Sequence, residues 1–332
     1  MTQPRFSIVA PAYNEEQVLP EFYRRLQEVM DKLGEPWEMV LVNDGSRDRT
    51  PQVMRTLHAQ DPRVCIVDFA RNFGHQIAVT AGLDHARGAA MVTIDADLQD
   101  PPEVIPELIA RWKEGYQVVY GVRAEREGET WFKLFTAKLF YRLIGALTDV
   151  DIPLEAGDFR LLDREVVQEL RRMREHRRFL RGMTSWVGYR QVGVPYLRHA
   201  RFAGETKYPL RKMVRLALDG ITGFSDLPLK LASSAGFVLL GLGLLVGLIL
   251  LGLRIAGSMP LAGQGLAVTV ALLLCGTQLV FLGIIGEYLA RIYDEVRGRP
   301  LYTVQELVGF DEQDEPSQNA TTSEEKCYGS ES

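Results

Sequence analysis

Hydrophobic runs recur along the first 125 residues, with helical patterns between them. Phe6–Ala10, Met39–Val42, Val64–Val67, Met91–Ile94 and Val118–Tyr120 are short and apolar, the mark of strands buried on both faces. Stretches near 15–33, 48–60, 75–87 and 103–114 carry helical periodicity. This alternation predicts an α/β fold, a mostly parallel sheet with helices on both faces. Ligands of such sheets sit beyond the carboxyl ends of the strands. Polar clusters fall there: Pro11 to Glu15 after the first strand, Asn43 to Ser46 after the second, and Asp95-Ala96-Asp97 after the fourth. Gln191 to Arg198 alternates like an additional strand.

A different pattern follows. Leu231 to Leu253 and Leu266 to Gly286 contain no charge. Each has about the 20 residues that cross a hydrocarbon core of roughly 30 Å as a helix. Lys207, Arg211, Lys212, Arg215 and Lys230 precede the first run, Arg291, Arg297 and Arg299 follow the second, and only Arg254 lies between. That asymmetry predicts a membrane hairpin with both flanks on the cytoplasmic face. Trp131 to Leu147 reads as a helix on the membrane surface or as an ordinary packed helix. The expected organisation is a catalytic domain over 1–206, an amphipathic juxtamembrane segment over 207–230, spans at 231–253 and 266–286, a cytoplasmic helix and segment over 287–310, and an acidic, disordered tail over 311–332.

Composition narrows the function. The formal net charge of -5 over 332 residues does not favour nucleic acid. The three cysteines, Cys65, Cys275 and Cys327, support neither a disulfide framework nor a zinc cluster and fit a reducing compartment. Met1 to Arg5 runs straight into a strand, without the pattern of a signal peptide. No Gly-x-Gly-x-x-Gly follows a strand, which argues against a dinucleotide-binding dehydrogenase. The basic run Arg171 to Arg178 reads as a solvated helix face, with anionic lipid contact as the next reading.

Asp95-Ala96-Asp97 carries the chemistry. Two carboxylates at a strand end can hold a hard divalent cation against a diphosphate. The surroundings are specific: Ile94 to Pro102, Ala10-Pro11-Ala12-Tyr13-Asn14-Glu15-Glu16, Val42-Asn43-Asp44-Gly45-Ser46, Arg71-Asn72-Phe73-Gly74-His75, Ala156-Gly157-Asp158-Phe159-Arg160 and Thr206-Lys207-Tyr208. Together they resemble the inverting family 2 glycosyltransferases of the GT-A fold. Within these they are similar to the dolichol-phosphate-mannose-synthase-like branch and its bacterial undecaprenyl-phosphate glucosyltransferases. The family's usual Ser-Lys-Tyr stands here as Thr206-Lys207-Tyr208, which keeps the hydroxyl and the cation.

The resemblance implies roles. Pro11, Tyr13 and Glu15 line the base and ribose pocket, and Asp44 accepts a hydrogen bond from the base edge. Asp95 lies near the ribose and diphosphate, and Asp97 binds Mg2+ or Mn2+ with Asp95 beside it. Gln99 and Arg123 touch the sugar or diphosphate. Asp158 occupies the base position. The acceptor is a phosphate monoester, mostly dianionic at neutral pH, so Asp158 either deprotonates or merely orients. Arg201 and Lys207 have the chemistry to grip the lipid phosphate. The implied reaction moves a hexose, glucose from UDP-glucose in the first reading, onto polyprenyl phosphate at the bacterial cytoplasmic membrane. GDP-mannose and UDP-N-acetylhexosamine are alternative donors, and an inactive nucleotide-sugar-binding scaffold is the alternative of another class. A homo-oligomer is expected, a tetramer being one arrangement. A processive polysaccharide synthase is disfavoured by the lack of Gln-x-x-Arg-Trp and of further spans.

Overall fold

The computed structural model describes residues 4–123, 156–197, 227–255 and 263–310. It divides into two compact units. One contains everything described up to residue 197 together with the segment from Pro300; the other contains two long helices.

The first unit is built on eight strands: β1 (Phe6–Ala12), β2 (Trp37–Asn43), β3 (Val64–Phe69), β4 (Ala90–Thr93), β5 (Val118–Arg123), β6 (Ala156–Asp163), β7 (Gln191–Tyr196) and β8 (Val304–Val308). They form one sheet in the order β7-β5-β6-β4-β1-β2-β3-β8. β1 pairs in parallel with β2 and β4, β2 with β3, and β5 with β7. β6 runs antiparallel between β4 and β5, and β8 runs antiparallel along β3. The expected mostly parallel α/β sheet is therefore present. Every residue of β1, β2 and β3 is buried, as their continuous apolar runs require.

Helices α1 (Leu19–Leu33), α2 (Thr50–Gln60), α3 (His75–His85) and α4 (Ile105–Lys113) alternate with the first five strands, and α5 (Arg164–Arg172) and α6 (Leu180–Trp186) follow β6. Helix α1 shows why the pattern folds this way. Leu19, Phe22, Tyr23, Leu26 and Met30 recur on one face and enter the core, and Gly34 closes the helix in the left-handed conformation. The core also takes Phe6, Ile8, Met39, Leu41, Phe159 and Leu161.

Two strands and one basic segment differ from the sequence expectation. β6 and β8 are not among the strands that the hydrophobic pattern predicts, and β8 lies within the stretch expected to be a cytoplasmic helix and segment. Of the basic run, Arg172 is exposed, but Arg171 and Arg178 turn inward.

The second unit holds α7 (Leu227–Ile255) and α8 (Gly263–Val296), which contain the two expected spans. They touch where Gly236 lies against Phe281. Among the described residues, one helix window, Ala232–Ile249, is long and apolar enough to cross a membrane. Helix α7 leaves Phe237, Leu242, Leu245 and Leu248 exposed. The stretches 131–147, most of 207–230 and the tail lie outside the described residues.

Candidate active site

The parallel register brings the site together. Pro11 lies opposite Val42 and Ala12 opposite Asn43, so the loops after β1 and β2 leave the sheet side by side. They brace each other. The Asn14 N–H donates to Ser46 Oγ at 3.0 Å, Arg47 N–H to Asn14 Oδ1 at 2.8 Å, and Glu15 N–H to Thr50 Oγ1 at 2.8 Å. Asn14 takes φ 55°, a left-handed value sparsely populated outside glycine and held here by these bonds.

Asp44, expected at the base edge, is buried, and its carboxylate faces the loop after β3. It accepts from Phe73 N–H at 2.7 Å, from Gly74 N–H at 3.1 Å and from Asn72 Nδ2 at 2.9 Å. Burial pushes its pKa up despite those N–H groups. Gly45 allows the approach: a Cβ there would stand 2.5 Å from the backbone of Arg71 and Asn72, and its φ is +64°. The loop from Arg71 to Gly74 is thus clamped onto the end of β2. Arg71 lies over the Phe73 ring at 3.9 Å.

That loop launches α3, whose first turn supplies two residues the sequence reading left without a role. His75 Nε2 lies 3.5 Å from Asp95 Oδ1 and 3.5 Å from Asp158 Oδ2. Gln76 donates to Asp158 Oδ2 at 3.4 Å and accepts from Leu180 N–H at 3.0 Å. From α6, Arg181 grips Asp158 with two parallel bonds, Nε to Oδ1 at 2.9 Å and Nη2 to Oδ2 at 3.1 Å. Asp158 reaches this point because antiparallel β6 runs beside β4, whose end carries Asp95. Arg160 turns away, to the Gly157 carbonyl and Thr184. His75 belongs to the Arg71–His75 motif that carries the family resemblance, whereas Arg181 has no sequence signal beyond its place near a basic run.

The charges follow. Burial opposes ionisation of Asp158, but Arg181 and His75 outweigh it and hold the carboxyl well below the usual range. Burial likewise opposes the imidazolium of His75, yet Asp95 and Asp158 lift its pKa to about 9. Burial pushes Asp95 up to about 6, against the pull of His75.

The Asp95–Pro102 loop is shaped by one strained residue. Leu98 is buried at φ 59°. That conformation is disfavoured for a bulky side chain and persists only where its surroundings impose it. Asp97 Oδ1 accepts from Gln99 N–H at 3.1 Å, and buried Asp100 takes the Tyr196 hydroxyl. Among the described residues, no three His, Cys, Asp or Glu side chains form a ready metal cage. Asp95 and Asp97 are two hard oxygen donors, which fits an ion completed by substrate phosphates and water. Pro11 lies in β1 one residue before its end, and Tyr13 and Glu15 follow in the loop beyond. Arg123 ends β5; Arg201 and Lys207 lie outside the described residues.

Comparison with known proteins bears on this arrangement. Residues 7–171 match the model of glycosyl transferase family 2. The chain is 54% identical over 307 residues to the glycosyltransferase YkcC of Bacillus subtilis, covering 92% of this chain and 95% of that one. It is 39% identical to a prophage bactoprenol glucosyl transferase homolog of Escherichia coli, over 91% of this chain and 99% of that one. Among solved structures, mannosyl-3-phosphoglycerate synthase from Rubrobacter xylanophilus aligns with TM-score 0.45 and 16% identity, covering 66% of this chain and 72% of that one. With near full-length relatives at such identity, and with its acidic loops at the carboxyl ends of the strands, the chain belongs to the family 2 glycosyl transferases.

Proposed function

We propose that the protein transfers glucose from UDP-glucose to a polyprenyl phosphate, with inversion, at the cytoplasmic face of a bacterial membrane. The observation that carries the acceptor class is the 39% identity, along nearly the whole chain, to a bactoprenol glucosyl transferase homolog. GDP-mannose and UDP-N-acetylhexosamine are the competing donors.

In this reading Pro11, Tyr13 and Glu15 receive the nucleoside, and Asp44 shapes that pocket through the Arg71–Gly74 loop. Asp95 and Asp97 would hold Mg2+ or Mn2+, which would supply positive charge against the nucleoside diphosphate leaving group. Gln99 and Arg123 face the diphosphate and sugar, and Arg201 and Lys207 take the acceptor phosphate. An acceptor oxygen attacks the anomeric carbon opposite the diphosphate, so an α-linked donor gives a β-linked product. Asp158 orients groups and is a poor general base, because a carboxyl held so far below neutrality has little affinity for a proton. The acceptor needs little help, since a phosphate monoester has its second pKa near ~6.

The membrane assignment draws on the apolar helix over Ala232–Ile249 and on the connectivity. The chain leaves the first unit before α7 and, after α8, returns as β8 to the same sheet. The test is direct. Purified full-length protein is offered each nucleotide-sugar with undecaprenyl phosphate, and lipid-linked product is followed. Transfer only to a soluble acceptor, or from no donor in the panel, would refute the assignment.

A further inference from the structure

The end of α3 farthest from His75 carries a second charged cluster that the transfer reaction does not use. Ten residues of helix separate His85 from His75, about 15 Å at 1.5 Å per residue. A cavity of about 230 Å³ opens there, lined by Asp84, His85, Arg87, Arg164, Arg171 and Arg174.

Its charges do not balance. Arg87 is matched by buried Glu38 at 2.7 Å, and Arg174 by Asp84 at 2.8 Å. Among the described residues Arg164 and Arg171 donate only to backbone: Arg164 to the carbonyls of Arg87 and Gly88, Arg171 to those of Leu83 and Ala86. Arg178, 7% exposed, feels the charge of Asp84, and its Nε is buried without a hydrogen-bond partner. Among the described residues there are thus four guanidiniums around Asp84, Arg164, Arg171, Arg174 and Arg178, to one buried carboxylate, with exposed Glu175 opposing Arg178. The other ionisable neighbours supply no negative charge: burial keeps His85 neutral, and burial with Asp84 keeps the Tyr302 phenol protonated.

The hydrogen-bond pattern points the same way. Arg164 and Arg171 each spend Nε and Nη2 on carbonyls, and their Nη1 groups make no hydrogen bond among the described residues. A guanidinium offers donors on both edges of its plane, and a phosphoryl group accepts such paired donors. Buried, unmatched cations are costly, and an anion relieves that cost.

We propose that this cavity is a binding site for a phosphoryl anion, separate from the donor site, read by Arg164, Arg171 and Arg174. The anion is either free in solution or the headgroup of an anionic lipid.

The full-length protein in nanodiscs tests this, with UDP and Mg2+ saturating so that the donor site is filled. Inorganic phosphate is titrated and the melting temperature followed, in phosphatidylcholine discs and in discs containing phosphatidylglycerol. The wild type should show a saturable rise. Arg171→Gln and Arg174→Gln should weaken the apparent affinity about tenfold or more, the loss of one charged hydrogen bond. Arg172→Gln, in the same run but outside the cavity, should match the wild type. A phosphate effect alike in both discs identifies a free anion. Stabilisation by phosphatidylglycerol that phosphate competes away, and that Arg174→Gln abolishes, identifies a headgroup. Arg174→Gln should keep its transfer rate, which separates failure here from failure of the proposed reaction. Overturning results are no saturable effect of phosphate or phosphatidylglycerol, or an equal effect in the wild type and both cavity variants.

Discussion

Replacing Asp44 by alanine distinguishes a carboxylate that touches the nucleotide from one that builds its pocket. The wild-type carboxylate accepts from Phe73 N–H, Gly74 N–H and Asn72 Nδ2 at 2.7 to 3.1 Å. Hydrogen bonds to a charged group contribute about 1.5–3 kcal/mol each, and a buried donor left unmatched costs about 1–3 kcal/mol. The three share one acceptor and are not additive, and removing a buried charge returns some of its desolvation cost. A net destabilisation of about 3 kcal/mol follows, which for a unit of this size lowers the melting temperature by roughly 6–12 °C. Asp44→Asn should fall in between, because the amide oxygen can accept from one N–H while its NH2 group faces further donors. Differential scanning fluorimetry gives the melting temperature, and calorimetric titration with UDP and Mg2+ gives donor affinity. Both should fall in Asp44→Ala. A variant that melts within about 2 °C of wild type yet loses UDP binding would refute the reasoning: the loop would then stand without the carboxylate, and Asp44 would act on the base edge directly.

Asp97→Ala should abolish transfer in a protein that still folds and inserts, and excess EDTA should do the same to wild type; activity that survives either removes the metal from Asp97. Arg181→Ala should slow single-turnover transfer by about 100-fold, the cost of misplacing an orienting group. It should also add an acid limb to the pH–rate profile. Arg181 and His75 hold the carboxyl of Asp158 well below the usual carboxylate range in wild type, whereas without Arg181 burial pushes it upward. An unchanged profile would show that the pairing does not govern Asp158. Arg201→Ala and Lys207→Ala should impair transfer about ten- to a hundredfold while leaving UDP affinity nearly unchanged; equal loss of UDP affinity would place both in the donor site. A reporter fused after Leu307 should behave as cytoplasmic and one inserted near Gly263 as external, and the reverse would refute the topology.

What the sequence made legible is what repeats in one dimension. Strands β1 to β4 were visible because both faces are buried, so their apolar runs are continuous and bounded by polar loops, and β5 because it opens on buried Val118 and Val119. The loops after β1, β2 and β4 were visible because the parallel sheet places every such loop at one end. Hidden from the sequence was anything created by pairing across long separations. The Asp158–Arg181 fork joins β6 to α6, and His75 acquires meaning only when α3 starts beside the end of β4. The inward turn of Arg171 and Arg178 was also unreadable, since a run of arginines looks solvated until the carbonyls beneath it are found, those at the end of α3 for Arg171 and those at the end of α5 for Arg178.

Strand β8 is the instructive omission. Its five residues, Val304 to Val308, are too short and too polar to announce a strand, with Gln305 and Glu306 at the centre. Pairing to β3 makes it one, and specific contacts fix the register. Arg55 reaches Glu306 at 2.6 Å and Asp68 at 3.3 Å, while Tyr302 stacks on Phe69 with ring centres 5.2 Å apart and donates to Asp84 at 2.9 Å. These contacts carry a topological consequence that charge counting could only suggest. β8 follows α8 in the chain yet belongs to the sheet that precedes α7. Any membrane crossed between residues 197 and 300 must therefore be crossed an even number of times, or β8 could not reach β3. One span through α7 alone would put the strand on the wrong side of the bilayer. If α7 crosses, a return crossing is needed, and among the described residues α8, with 34 residues, is long enough for it. The edge strand thus bears on the parity of any crossing, even like that predicted from the basic flanks, and does so from backbone hydrogen bonds rather than from charge.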